Sequence, residues 1–138
     1  MKIKTQPNNY SCGIYSIINS LIVFGDSKTP EEVGEFTSTT KEGTDTPGIY
    51  NALDNLGYKY KVYKTRNKNN AWRLVLTNSI NYPLILYLDK DHWAVITGRI
   101  KNKVILIDSF DTAHIDNKQE LLARWSNFGN FLGIKVSF

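Results

Sequence analysis

Two side chains have the types and neighbours needed for nucleophilic acyl transfer: Cys12, the only cysteine, and His92, one of two histidines. A thiolate attacks a carbonyl carbon to give a thioester, and an imidazole carries the proton to the leaving group. Cys12 lies between Ser11 and Gly13, where an apolar helical pattern begins. Helix N-termini carry partial positive charge and free N–H groups that favour a thiolate, and the small neighbours leave room for a substrate backbone. A lone cysteine is otherwise a small core hydrophobe. His92 opens the run His92-Trp93-Ala94-Val95-Ile96, just after the turn residues Asp89-Lys90-Asp91. At a strand mouth a histidine projects into a cleft while its neighbours pin the backbone; taken alone, it reads first as an exposed turn residue. The run Val104-Ile105-Leu106-Ile107 ends in Asp108-Ser109. If this run pairs with the strand of His92 as a hairpin, Asp108 falls beside the imidazole as an orienting carboxylate. Asp-Ser is otherwise a common turn pair.

The second histidine, His114, follows Ser109-Phe110-Asp111-Thr112 in a polar stretch that reads as loop, so a surface role is expected. Asp111 and Asp116 flank it, but their spacing matches no ligand pattern, and one cysteine with two histidines is a poor set for structural zinc. No metal and no cofactor is expected.

The elements that must position these residues are legible in the pattern. Ile14, Ile17, Ile18, Leu21 and Ile22 recur at helical spacing, which predicts a core-facing helix over 12–24. Thr29-Pro30-Glu31-Glu32 opens a second helix, with Thr29 as N-cap, Pro30 in the first turn and Glu32 completing a capping box. A third follows Thr46-Pro47, carries Ile49, Leu53 and Leu56 on one face, and ends at Gly57. Residues 58–63 alternate as a half-buried strand, and a helix is expected over 70–77. Three short β-branched and aromatic runs, 83–88, 93–98 and 103–107, are separated by turns and predict an antiparallel meander. A helix near 118–125 and a strand over 133–138 complete a single α+β domain, residues 1–138. Tyr10, Tyr50 and Trp93, if exposed, are candidates to line a groove.

Composition narrows the classes of function. The chain has 138 residues, 41% hydrophobic and 22% charged, an ordinary globular balance with one core. The net charge of +4 is spread out, with one denser stretch over 59–73 that reads as a solvated face rather than a nucleic-acid groove. The charge suits an acidic substrate or partner. A single cysteine excludes an internal disulfide. Met1-Lys2-Ile3-Lys4 lacks a signal-peptide core, and the apolar run 14–24 is interrupted by Ser16, Asn19 and Ser20 and too short to span a bilayer. A cytoplasmic location is expected, with no nucleic-acid partner and no membrane segment.

Gln6-Pro7-Asn8-Asn9-Tyr10-Ser11-Cys12-Gly13 resembles the start of a C39-type peptidase domain, a papain-like cysteine peptidase family with a glutamine six positions before Cys-Gly. The resemblance continues at Glu42-Gly43-Thr44, at Leu53 and Leu56-Gly57-Tyr58, and at His92-Trp93-Ala94-Val95-Ile96, with Asp108 sixteen residues beyond His92. It covers about residues 6–110 in the family's order. Ile14 and Tyr15 stand where small residues commonly follow Cys-Gly, and Ser109 stands where Pro often follows the Asp.

The resemblance implies a papain-like fold, with N-terminal helices packed on a C-terminal antiparallel sheet. It also implies a catalytic set of Cys12, His92, Asp108 and Gln6. In that set Gln6 and the Cys12 backbone N–H stabilise the oxyanion. The implied substrate is a peptide leader or a flexible protein segment; the best-known members of the family cleave leaders after a double glycine. The same residues are compatible with an acyl or amide transferase, in which an amine captures the thioester, and with an idle peptide-binding module.

Overall fold

The first helix, α1 (Cys12–Ile22), forms along the predicted apolar stripe, burying Ile17, Ile18 and Leu21. The computed structural model describes residues 10–79, 81–89, 92–108 and 113–138. The helix α2 (Pro30–Thr37) starts on the expected capping box: Glu32 N–H donates to Thr29 Oγ1 at 3.1 Å and Thr29 N–H donates to Glu32 Oε1 at 3.2 Å. The third, α3 (Thr46–Asn55), is capped by Asp45, whose carboxylate accepts the Gly48 N–H at 2.9 Å. Its end is set by Gly57, at φ +85°, a conformation that favours glycine.

The remaining elements are β1 (Lys59–Thr65), α4 (Lys68–Asn78), β2 (Leu84–Leu88), β3 (His92–Ile100), β4 (Lys103–Ile107), β5 (Ala113–Asp116), α5 (Lys118–Trp125) and β6 (Phe131–Ser137). The strands form one antiparallel sheet in the order β1-β6-β2-β3-β4-β5. The basic stretch falls partly on β1, an edge strand, where Lys59, Lys61 and Lys64 are exposed. Charge along an open edge discourages pairing with another chain.

Side-chain alternation divides the sheet between two helical layers. Ile85, Trp93, Val95, Ile107, Ile134 and Val136 pack with α1, α2 and α3. Leu84, Leu86, Leu88, Ala94, Ile96 and Leu106 pack with α4 and α5. The N-terminal helices thus cover one side, as expected, and the later two cover the other.

β5 is a departure from the sequence reading, which takes His114 for part of a polar loop. Ala113-His114-Ile115-Asp116 pairs with β4, His114 facing Leu106. Being an edge strand it needs only one neighbour, so it carries polar residues that obscure its periodicity. Among the described residues no helix is long and apolar enough to cross a membrane.

Candidate active site

Cys12 is the first residue of α1 and is only 2% exposed. The backbone N–H of Trp93 donates to its sulfur at 3.5 Å, so β3 supplies a donor where α1 presents its N-terminus. Gly13 does not serve a substrate backbone as the sequence reading expects: it is buried, and a Cβ there would lie 2.7 Å from Thr44 Cβ. Its bareness lets α1 seat against the loop before α3. Thr44 also accepts the Trp93 indole N–H on its carbonyl oxygen at 2.8 Å. The segment Glu42-Gly43-Thr44 therefore locks the start of α1 to the start of β3. Trp93 itself is 2% exposed and belongs to the core rather than to a groove, while Tyr10 is exposed and Tyr50 half-buried.

His92 and Asp108 meet across the β3–β4 hairpin because a bulge between Ile96 and Gly98 shifts its register by one residue. The β3–β4 register pairs Val95 with Ile107, which puts Asp108 on the same side of the ladder as His92. His92 Nε2 lies 2.8 Å from Asp108 Oδ1. The imidazole is also hydrogen-bonded to Cys12. Burial disfavours the imidazolium, but the hydrogen bonds to Asp108 and Cys12, with their charges, outweigh it and push the His92 pKa up to about 9. At neutral pH the ring is therefore a cation held on the Asp108 carboxylate.

Arg124, in the last turn of α5, reaches the other Asp108 oxygen: its Nη2 donates to Oδ2 at 3.2 Å. The same nitrogen donates to Asp89 Oδ2 at 2.9 Å. Nothing in the spacing of the chain points to this arginine, since α5 lies in the opposite layer from α1. Burial opposes its charge, and Asp89 and Asp108 more than restore it, so its pKa is raised.

His114 sits elsewhere. Its Nδ1 lies 3.0 Å from Asp116 Oδ1, and its side chain is 35% exposed. Gln6, Ser109 and Asp111 lie outside the described residues. Among the described residues no group of three or more His, Cys, Asp or Glu side chains is placed to hold a metal ion.

The comparisons with known proteins agree with one another. The profile of the peptidase C39 family matches residues 1–135. The lactococcin transport/processing ATP-binding protein LcnC-like of Lactococcus lactis subsp. lactis (strain IL1403) is 27% identical over 140 residues, covering 97% of this chain. This chain spans only 19% of that protein's length. The crystal structure of the peptidase domain of Streptococcus ComA, a bi-functional ABC transporter involved in quorum sensing, superposes with a TM-score of 0.80 at 21% identity, covering 99% of this chain and 97% of that one. A double glycine motif protease from an AMS/PCAT transporter, in complex with the leader peptide, gives a TM-score of 0.81 at 15% identity, covering 99% and 90%. At such identities the two structures speak for the fold, and the profile speaks for the family. The chain belongs to the peptidase C39 family, and it is a cysteine peptidase of papain-like fold.

Proposed function

We propose that Cys12, His92 and Asp108 hydrolyse a peptide bond in a leader peptide or flexible protein segment. The observation that carries this reading is the His92 ring, bonded at once to the sole cysteine and to a buried carboxylate. The Cys12 thiolate attacks the peptide carbonyl. The His92 cation gives its proton to the departing amine, leaving a thioester, then accepts a proton from the water that hydrolyses it. Asp108 holds Nε2 and fixes the ring's orientation throughout. Gln6 and the Cys12 backbone N–H are the donors assigned to the oxyanion, Gln6 on its offset from Cys12 in the family pattern. Such a donor is worth about 10²–10³ in turnover.

The leader peptide bound to the double glycine motif protease makes a double-glycine leader the first substrate to try. We assign the reaction to the cytoplasm, where a nucleophilic thiol stays reduced. The test is cleavage of such leaders and of unstructured peptides, followed by mass spectrometry. Cys12→Ala is expected to lower turnover by at least about 10⁴-fold with a nearly unchanged Tm. Wild-type cleavage that survives in Cys12→Ala would sink the assignment. So would a Cys12→Ala protein that loses much of its stability while the wild type cleaves nothing.

A further inference from the structure

Arg124 touches three aspartates at the ends of three strands. Nη2 donates to Asp108 Oδ2 at 3.2 Å and to Asp89 Oδ2 at 2.9 Å, Nε donates to Asp89 Oδ2 at 3.3 Å, and Nη1 lies 3.9 Å from Asp116 Oδ2. The main chain doubles the link to Asp89, whose N–H donates to the Arg124 carbonyl at 2.8 Å. The base of this side chain is fixed by α5, which buries Leu121, Leu122 and Trp125 on either side in sequence.

We propose that Arg124 is a positioning residue for the peptidase reaction, holding the Asp108 carboxylate in the orientation that keeps Oδ1 on His92. The proposal rests on the triad reading above. Its physical basis is the torsion of the aspartate. The last torsion of an Asp side chain is broad, with no sharp staggered well, so a hydrogen bond to an imidazole at one oxygen does not by itself fix the carboxylate plane. The Arg124 donor on the other oxygen adds a second fixed point. A guanidinium does this well, because its planar fork presents several N–H groups in fixed directions and spends the rest on Asp89.

Two weaker roles are open to the same contacts, and they predict different behaviour. As a tie between strand ends, Arg124 would affect folding alone. As a nearby positive charge, it would oppose the His92 cation, so that its removal would raise the histidine's titration midpoint. As a positioning residue, its removal loosens Asp108 and lowers that midpoint. Among the described residues, the charged and titratable groups recorded in contact with the network are Cys12 and Asp108 at His92, Asp89, Asp108 and Asp116 at Arg124, and His114 behind Asp116.

The experiment follows His92 by NMR titration and, separately, kcat and KM for a cleaved peptide, in wild type, Arg124→Gln, Arg124→Lys and Asp108→Asn. Arg124→Gln is expected to lower kcat about 10- to 100-fold with KM within about threefold. It should move the His92 midpoint about one unit or more below its wild-type value. Arg124→Lys, which keeps the charge without the fork, should recover part of both. In an Asp108→Asn background, Arg124→Gln should cost no further kcat, because the residue acts through Asp108. A folded Arg124→Gln with an unmoved or raised His92 midpoint overturns the proposal, as does an undiminished kcat effect in the Asp108→Asn background. If Arg124→Gln fails to fold, Arg124→Lys decides, and an unmoved midpoint there overturns it equally. The titration needs no turnover, so a failure of the positioning role is distinguishable from a failure of the triad, which Cys12→Ala reports.

Discussion

Two histidine–aspartate pairs lie on either side of Arg124, and they are built almost alike. His92 and Asp108 are 2.8 Å apart, His114 and Asp116 3.0 Å, and the arginine reaches both carboxylates, at 3.2 and 3.9 Å. Their surroundings differ. His92 is 7% exposed, begins an inner strand, and has the N-terminus of α1 and the Cys12 sulfur before it. His114 sits on the edge strand β5 with a third of its side chain in solvent, and the sole cysteine is at His92 instead. An imidazole on a carboxylate is thus a common local motif. It becomes a candidate site where a cysteine is delivered to the same ring in a buried place.

The contrast can be broken most severely by turnover. His92→Ala is expected to lose at least about 10⁴-fold in kcat, while His114→Ala stays within about twofold of wild type. The reverse result would transfer the catalytic role to the edge strand.

A second contrast is in stability against pH. The His92 pKa rises from 6.5 to about 9 on folding. Its charge therefore contributes stability in full below about 6.5, and that contribution is lost as pH rises through about 9. Urea titrations should show unfolding free energy falling by roughly 2–3 kcal/mol over this window. The fall should vanish in His92→Gln and persist in His114→Gln; a slope that follows His114 instead would reassign it.

The smallest effect is on the thiol. Iodoacetamide at neutral pH should label Cys12 about tenfold more slowly in His92→Ala than in wild type, and within about twofold in His114→Ala. Equal labelling in all three would mark Cys12 as a packed core cysteine, untouched by the imidazole.

Much of this arrangement is legible before folding because it rests on local rules. The α1 stripe, the Thr29–Glu32 box and Gly57 each declare themselves within a few residues. The β3–β4 hairpin is legible from its turn, but the bulge between Ile96 and Gly98 that turns Asp108 to the His92 side is not. What stays hidden is set by partners distant in sequence. Trp93 has the look of a groove aromatic until Thr44 is seen to take its indole N–H. Gly13 suggests space for a ligand until Thr44 is found filling it. Arg124 is an ordinary helix-terminal base in sequence, and β5 is masked by the polar residues an edge strand tolerates. The same physics governs all of them, but the second group needs the fold to bring its terms together.

The two-layer construction has a consequence for how this domain tolerates change. Cys12 is anchored in the cluster formed with α1, α2 and α3, whereas Arg124 is anchored through the neighbours of Trp125 in the cluster formed with α4 and α5. The sheet keeps these two interiors apart, so each contributes its own share of folding energy. They are brought into one chain of contacts where β3 begins and β4 ends, from sulfur to imidazole to carboxylate to guanidinium. That chain works as a gauge of alignment: repacking either interior can leave the protein stable while shifting one half of the gauge against the other. On the reading proposed above, substitutions in either interior are therefore expected to meet at the chemistry of this chain of contacts.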